Sequence, residues 1–258
     1  VGDGDSGSGG ELRLTAGSSS DATGGMVRIE SGEGTTTSSG LISLQTANAG
    51  TTGGSGALLL QTGTGASETS GKIGLTTGTT TGGKGGNVEI SVGAGDASTG
   101  GDIIVDGGST DGTDGVGGSI TLTPGKGVSG QGGSLLLNGG IGNTLTGGDI
   151  TISSGTGVAT SSGKISLTTA DAGVAGISGE LRFATGTSSV GTSGSISISS
   201  GSAVSGQGGS ISVTVGTGDS GDGGSLELSG GSTSADAQTG GLLSISGGDS
   251  TGASGSVG

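Results

Sequence analysis

Residues Thr37–Gly50 read TSSGLISLQTANAG, and 123 residues further on Thr160–Gly173 read TSSGKISLTTADAG. In both stretches a Gly precedes two aliphatic residues separated by one hydroxyl residue. This alternation is the period-2 signature of a half-buried strand. Extended to Gly24–Thr64 and Gly147–Thr187, the two windows agree at 24 of 41 positions, which identifies a tandem duplication. The same pattern recurs outward in both directions as Gly-x-Φ-x-Φ-x-x-Gly followed by a polar Gly/Ser/Thr stretch, where Φ is a large aliphatic residue or Phe.

There are sixteen such units, with the first Φ at residues 12, 27, 42, 58, 73, 88, 103, 120, 135, 150, 165, 181, 196, 211, 226 and 243. All 32 Φ positions are apolar, and they hold 32 of the 50 Val, Ile, Leu and Phe residues of the chain. Units are 15, 16 or 17 residues long, and eight of them sum to 123 because the longer ones fall at the same places in each copy. An aliphatic content just under about 20% would by itself point to disorder. Disorder predicts no phase, whereas here the phase is complete. A helix is excluded as well, since the units carry no 3.6-residue stripe and interior Gly costs a helix about 1 kcal/mol per position.

One strand with two aliphatics gains stability only if its neighbours stack in register. The expected fold is therefore all-β: a parallel β-solenoid, or β-helix, of about sixteen 15–17-residue coils with a flattened, two-sided cross-section and no helices. Residues 1–258 form a single rod in this reading, built from super-repeats 12–134 and 135–257. At about 4.8 Å per coil the rod is roughly 77 Å long. Position eight of the unit, Gly except for Ala47 and Ala170, is expected at one corner, with the Gly-Gly pairs that open many units at the other. The compact seventh position (Ala16, Ser31, Thr46) ends the first strand. A return strand brings small residues such as Gly34, Ala49 and Ala203 inward at position ten. The repeat runs into both ends without a cap and the chain lacks an initiator Met, so a segment of something longer, built to be continued, is expected.

Composition narrows the chemistry. Gly, Ser and Thr number 71, 45 and 36, or 152 of 258 residues, and there is no His, Cys, Trp or Tyr. No thiol nucleophile, imidazole base, disulfide framework or ordinary zinc site can be built, so no enzymatic activity and no cofactor is expected. Seven basic residues against 21 acidic ones give a net charge of -14, which with the lack of aromatic platforms argues against nucleic acid. No run of about 18 apolar residues exists to span a membrane.

The remaining polar groups offer few constellations with a chemistry of their own. Carboxylate pairs (Asp3/Asp5, Glu30/Glu33, Asp102/Asp106, Asp111/Asp114, Asp219/Asp222) could serve glycoside hydrolysis, but the aromatic and basic lining of sugar subsites is missing. No catalytic residue is assigned. Asp106, Asp111 and Asp114 make the nearest approach to a calcium set of hard oxygens, against the reading of solvated loop charge. Outward hydroxyls such as Thr121/Thr123 hint at an ice-binding ladder, which Arg13, Arg28, Glu89 and Ile104 interrupt. Outward Leu59, Ile104 and Leu136 are candidates for lateral contact. No Asn-x-Ser/Thr sequon occurs, while O-glycosylation stays open.

The units GKISLTTA at Gly163–Ala170 and GSISISSG at Gly194–Gly201 resemble the Gly/Ser/Thr-rich repeats of secreted fibrous proteins. Among these are hair-like appendage proteins of stramenopile algae and oomycetes and the β-solenoid passengers of bacterial adhesins. The resemblance covers the whole chain and brings no site residues. It implies an extracellular or cell-surface structural role: a filament subunit propagating by end-to-end stacking of coils, whose partners are copies of itself or neighbouring segments, axially and laterally. An adhesin stalk and an ice-binding solenoid are the alternatives.

Overall fold

The structure, a computed structural model, describes residues 8–96 and 99–248. It divides into two units, Val1–Leu135 and Leu136–Gly258.

In both, the same local element repeats. A run without bend or turn carries Φ-x-Φ, as at residues 23–34 and 146–157; a three- or four-residue crest of bends follows, as at 35–37 and 158–160. The two sides of the crest come back together. The N–H of Gly40, position one of its unit, donates to the carbonyl of Gly32, position eight of the unit before, at 2.9 Å; Gly25 to Gly17 repeats it at 2.8 Å. In the second unit Gly148 to Gly140 and Gly163 to Gly155 do the same at 2.9 and 3.0 Å. Seven of the polar stretches are thus loops pinched shut at their base.

The approach of position seven accounts for glycine at position one in the tightest units. Position one is Gly in all sixteen units. A β-carbon on Gly133 would lie 3.3 Å from Cβ of Pro124 and 3.2 Å from the backbone nitrogen of Gly125. On Gly101 and on Gly224 it would lie 2.8 Å from Cγ1 of Val92 and of Val215, respectively. Position seven packs on position one of the next unit, and at these three bases an added β-carbon would crowd it, while at Gly56 or Gly71 it would meet Thr46 or Thr62 at 3.5–3.8 Å, an ordinary contact.

The parallel β-solenoid is overturned. Among the described residues there is neither strand nor helix, so the β-solenoid and β-helix assignments fail. The positions expected at opposite corners, eight and one, are neighbours across the loop base. The second half of the unit forms the two legs of that loop and not a return strand: at Gly34, Gly142 and Gly157 an added β-carbon would strike the carbonyl four residues ahead. A coil stacked on the next one needs a ladder of backbone bonds between residues one unit apart. Here the inter-segment bond is spent closing the loop, and the Φ segments have no ladder partner.

No core results. The accessible surface is 24962 Å², whereas a compact monomer of 23.2 kDa exposes about 9,700 Å². Among the described residues no hydrophobic side chain is buried, and every Φ residue retains between 47% and 81% of its exposure.

Candidate functional site

With no cavity and no buried polar side chain among the described residues, the chemistry of this chain lies on its surface. The Φ pairs make that surface regular. Where three aliphatics follow one another the middle one is the most exposed: Leu58, Leu59 and Leu60 stand at 60%, 77% and 60%, and Leu135, Leu136 and Leu137 at 55%, 78% and 59%. The alternation read from the sequence is therefore kept, with positions three and five turned to one side and position four to the other.

Charge is confined to the opposite side and the loops. Arg28, at position four, donates through Nε to Oε2 of Glu30 at position six at 2.8 Å, with Nη2 at 2.6 Å from the same oxygen. Arg13 likewise donates to the Thr15 hydroxyl at 3.2 Å. Residues two apart reach one another because the segment is unbent and shares faces with period two. Such exposed pairs stabilise by at most about 1 kcal/mol. Their importance is spatial, since they leave the Φ side free of charge.

Asp111 and Asp114 sit in the long loop that Gly118 closes on Gly108 at 2.8 Å, and Asp106 precedes its base. Within it the Gly112 N–H donates to the Thr110 hydroxyl at 3.2 Å, the Gly115 N–H donates to the Gly112 carbonyl at 3.1 Å, and Asp114 has φ of 58°. The counterpart loop, closed by Gly241 on Gly231 at 2.8 Å, has the Ala235 N–H donating to the Thr233 hydroxyl at 3.2 Å and Ala237 at φ 58°. The same shape forms with Ser234 and Ala237 where the first copy has Asp111 and Asp114, so the carboxylates do not build the loop. Among the described residues no three carboxylates come together as a metal-holding set. The Asp3/Asp5 pair and the terminal Gly255-Ser256-Val257 lie outside the described residues.

One set of residues escaped the sequence reading. Leu145, Val158, Val174, Val190 and Val204 occupy the crests of five consecutive loops of the second unit, where Val158 and Val174 are fully exposed. Their spacing from the loop base varies by a residue or two, so they leave no strict period to detect. No helix among the described residues is long and apolar enough to cross a membrane. No protein family, curated protein or solved structure matches the chain.

Proposed function

We propose that this chain is a structural component of an extracellular fibre, held together by lateral association of copies through their Φ sides. The observation that carries the reading is that all 32 Φ residues, none of them charged, keep 47–81% of their exposure. An aliphatic side chain presents roughly 60–120 Å² of apolar surface, the area that corresponds to 1.5–3 kcal/mol at about 25 cal/mol per Å². Over 32 residues a little more than half exposed, that sums to on the order of 1,700 Å² per chain. A stable interface needs only about 800 Å² per partner. A second copy is the natural cover, because it presents the same pairs at the same spacing.

The extracellular location rests on the resemblance of the repeats to those of fibrous surface proteins. The lack of any His or Cys from which to build catalysis fits a structural role.

Sedimentation of the purified chain over a concentration series tests association, with large assemblies expected at micromolar concentrations. Ile165→Asp should raise the concentration needed by tenfold or more by placing a charge in the interface, while Ser166→Asp on the other side should change it little. A chain that stays monomeric throughout, or equal effects of the two substitutions, would overturn the reading.

A further inference from the structure

We infer that Asn138 is a site of self-modification: its side-chain amide is lost to attack by the Gly139 nitrogen, leaving aspartate and, in larger part, β-linked isoaspartate. The reaction involves one unbent segment and the loop that follows it, and does not depend on how copies associate.

Asparagine is among the chemically labile residues, and it reacts fastest where the next residue has no β-carbon to obstruct the attacking nitrogen. Asn48 is followed by Ala, Asn87 by Val and Asn143 by Thr; only Asn138 is followed by Gly. Both Asn138 and Gly139 are exposed and lie in the unbent run 131–142. Attack requires a Gly139 nitrogen free to lose its proton, and a backbone at residue 138 free to turn until Cγ meets that nitrogen. The fold provides both. Among the described residues the Gly139 N–H donates to no backbone or side-chain oxygen, and the Φ segment at 135–137 has no ladder to hold it in place.

Aspartate before glycine closes the same ring with loss of water, and the hydrogen bonds rank these pairs. The Gly112 N–H donates to the Thr110 hydroxyl at 3.2 Å and the Gly115 N–H to the Gly112 carbonyl at 3.1 Å, so the nitrogens that follow Asp111 and Asp114 are engaged. Those that follow Asp106 and Asp222 have no such acceptor among the described residues. A carboxylate is, however, a far poorer electrophile than an amide. Asn138 therefore reacts first.

The steps balance with water alone. The Gly139 nitrogen gives its proton to solvent and bonds to Cγ of Asn138; the Cγ–Nδ2 bond breaks, and Nδ2 takes up a proton and leaves as ammonia. One water then opens the succinimide ring. Attack at Cγ restores the ordinary main chain with aspartate, whereas attack at the main-chain carbonyl carries the chain through Cγ as isoaspartate. Either product adds one negative charge. The β-linked product also adds a methylene to the main chain where there is no room for one. An added β-carbon on Gly139 would strike the carbonyl of Gly148, and Gly140 accepts the 2.9 Å bond from the Gly148 N–H that closes the loop. Isoaspartate at 138 thus loosens this loop base, while aspartate leaves it closed.

Peptide mass spectrometry of the full-length protein incubated at neutral pH follows the conversion. Residue 138 should convert at least about fivefold faster than Asn48, Asn87 or Asn143, and within about threefold of a synthetic peptide of residues 133–147, because the segment opens at little cost. Asn138→Gln should abolish conversion at that position. Conversion no faster at 138 than at the other three, or about tenfold slower than in the peptide, would overturn the site. The rate should rise with pH, since the nitrogen must first lose its proton; a rate that falls with pH would exclude this attack. In the purified isoaspartyl chain the Gly148 amide should exchange about fivefold faster than in the Asn138→Asp variant. Equal exchange in the two would show that the extra methylene does not reach the loop base.

Discussion

A β-carbon added to Gly133 meets the backbone nitrogen of Gly125 at 3.2 Å, its carbonyl oxygen at 3.5 Å and Cβ of Pro124 at 3.3 Å, whereas one added to Gly130, at the crest of the same loop, meets nothing within 4 Å. The two glycines are three residues apart and look alike in the sequence. Gly133→Ala should open the loop base, because backbone atoms cannot swing aside as the end of a side chain can. A loss of about 1 kcal/mol corresponds to roughly fivefold faster amide hydrogen exchange at residue 133. Gly130→Ala should leave that exchange unchanged or slow it slightly, by reducing the freedom of the unfolded chain. Equal effects would mean that the contact at the base does not require glycine. That position one is Gly was plain in the sequence. Its cause, the approach of position seven of the preceding unit, was not, because nothing local to position one points to a neighbour nine residues back.

The pinched loop is the element of this molecule, and its tolerance of length is its main property. Eight- and ten-residue spans close with bonds of 2.8–3.0 Å, so the base is set by the glycines and the crest takes up the difference. In the ten-residue loop of the second copy the crest includes Ala237 at φ 58°, a conformation that costs a residue with a β-carbon roughly 1–2 kcal/mol. Asp114 in the first copy bears the same angle more easily, since a short polar side chain can bond locally. Ala237→Gly should therefore tighten the loop and slow exchange of the Gly241 amide, which donates to Gly231, about twofold to fivefold. Unchanged or faster exchange would show that the left-handed residue stores no strain. The sequence marked these loops as the place where insertions are tolerated. It did not mark their legs as partners of one another, because Gly, Ser and Thr stretches are compatible with a return strand, a corner or a hairpin-like loop.

For the whole molecule the dominant opposition is between an uncovered apolar side and a net charge of -14. Repulsion between copies reaches about 30 Å at 0.01 M salt and about 8 Å at 0.15 M. Light scattering at pH 7 should accordingly show association quickening severalfold between those two salt concentrations; a rate indifferent to salt would remove charge as the brake on assembly. From sequence alone came the unit, the duplication, the alternating sides and the exclusion of imidazole and thiol chemistry, each a matter of residue identity and spacing. Only the tertiary structure decided where the backbone bonds go. Periodicity states which side chains share a face, because that follows from local geometry. It does not state which distant backbone will pair with a segment, and in seven loops the glycines at positions eight and one pair with each other, while among the described residues the Φ segments have no ladder and their aliphatic residues stay exposed.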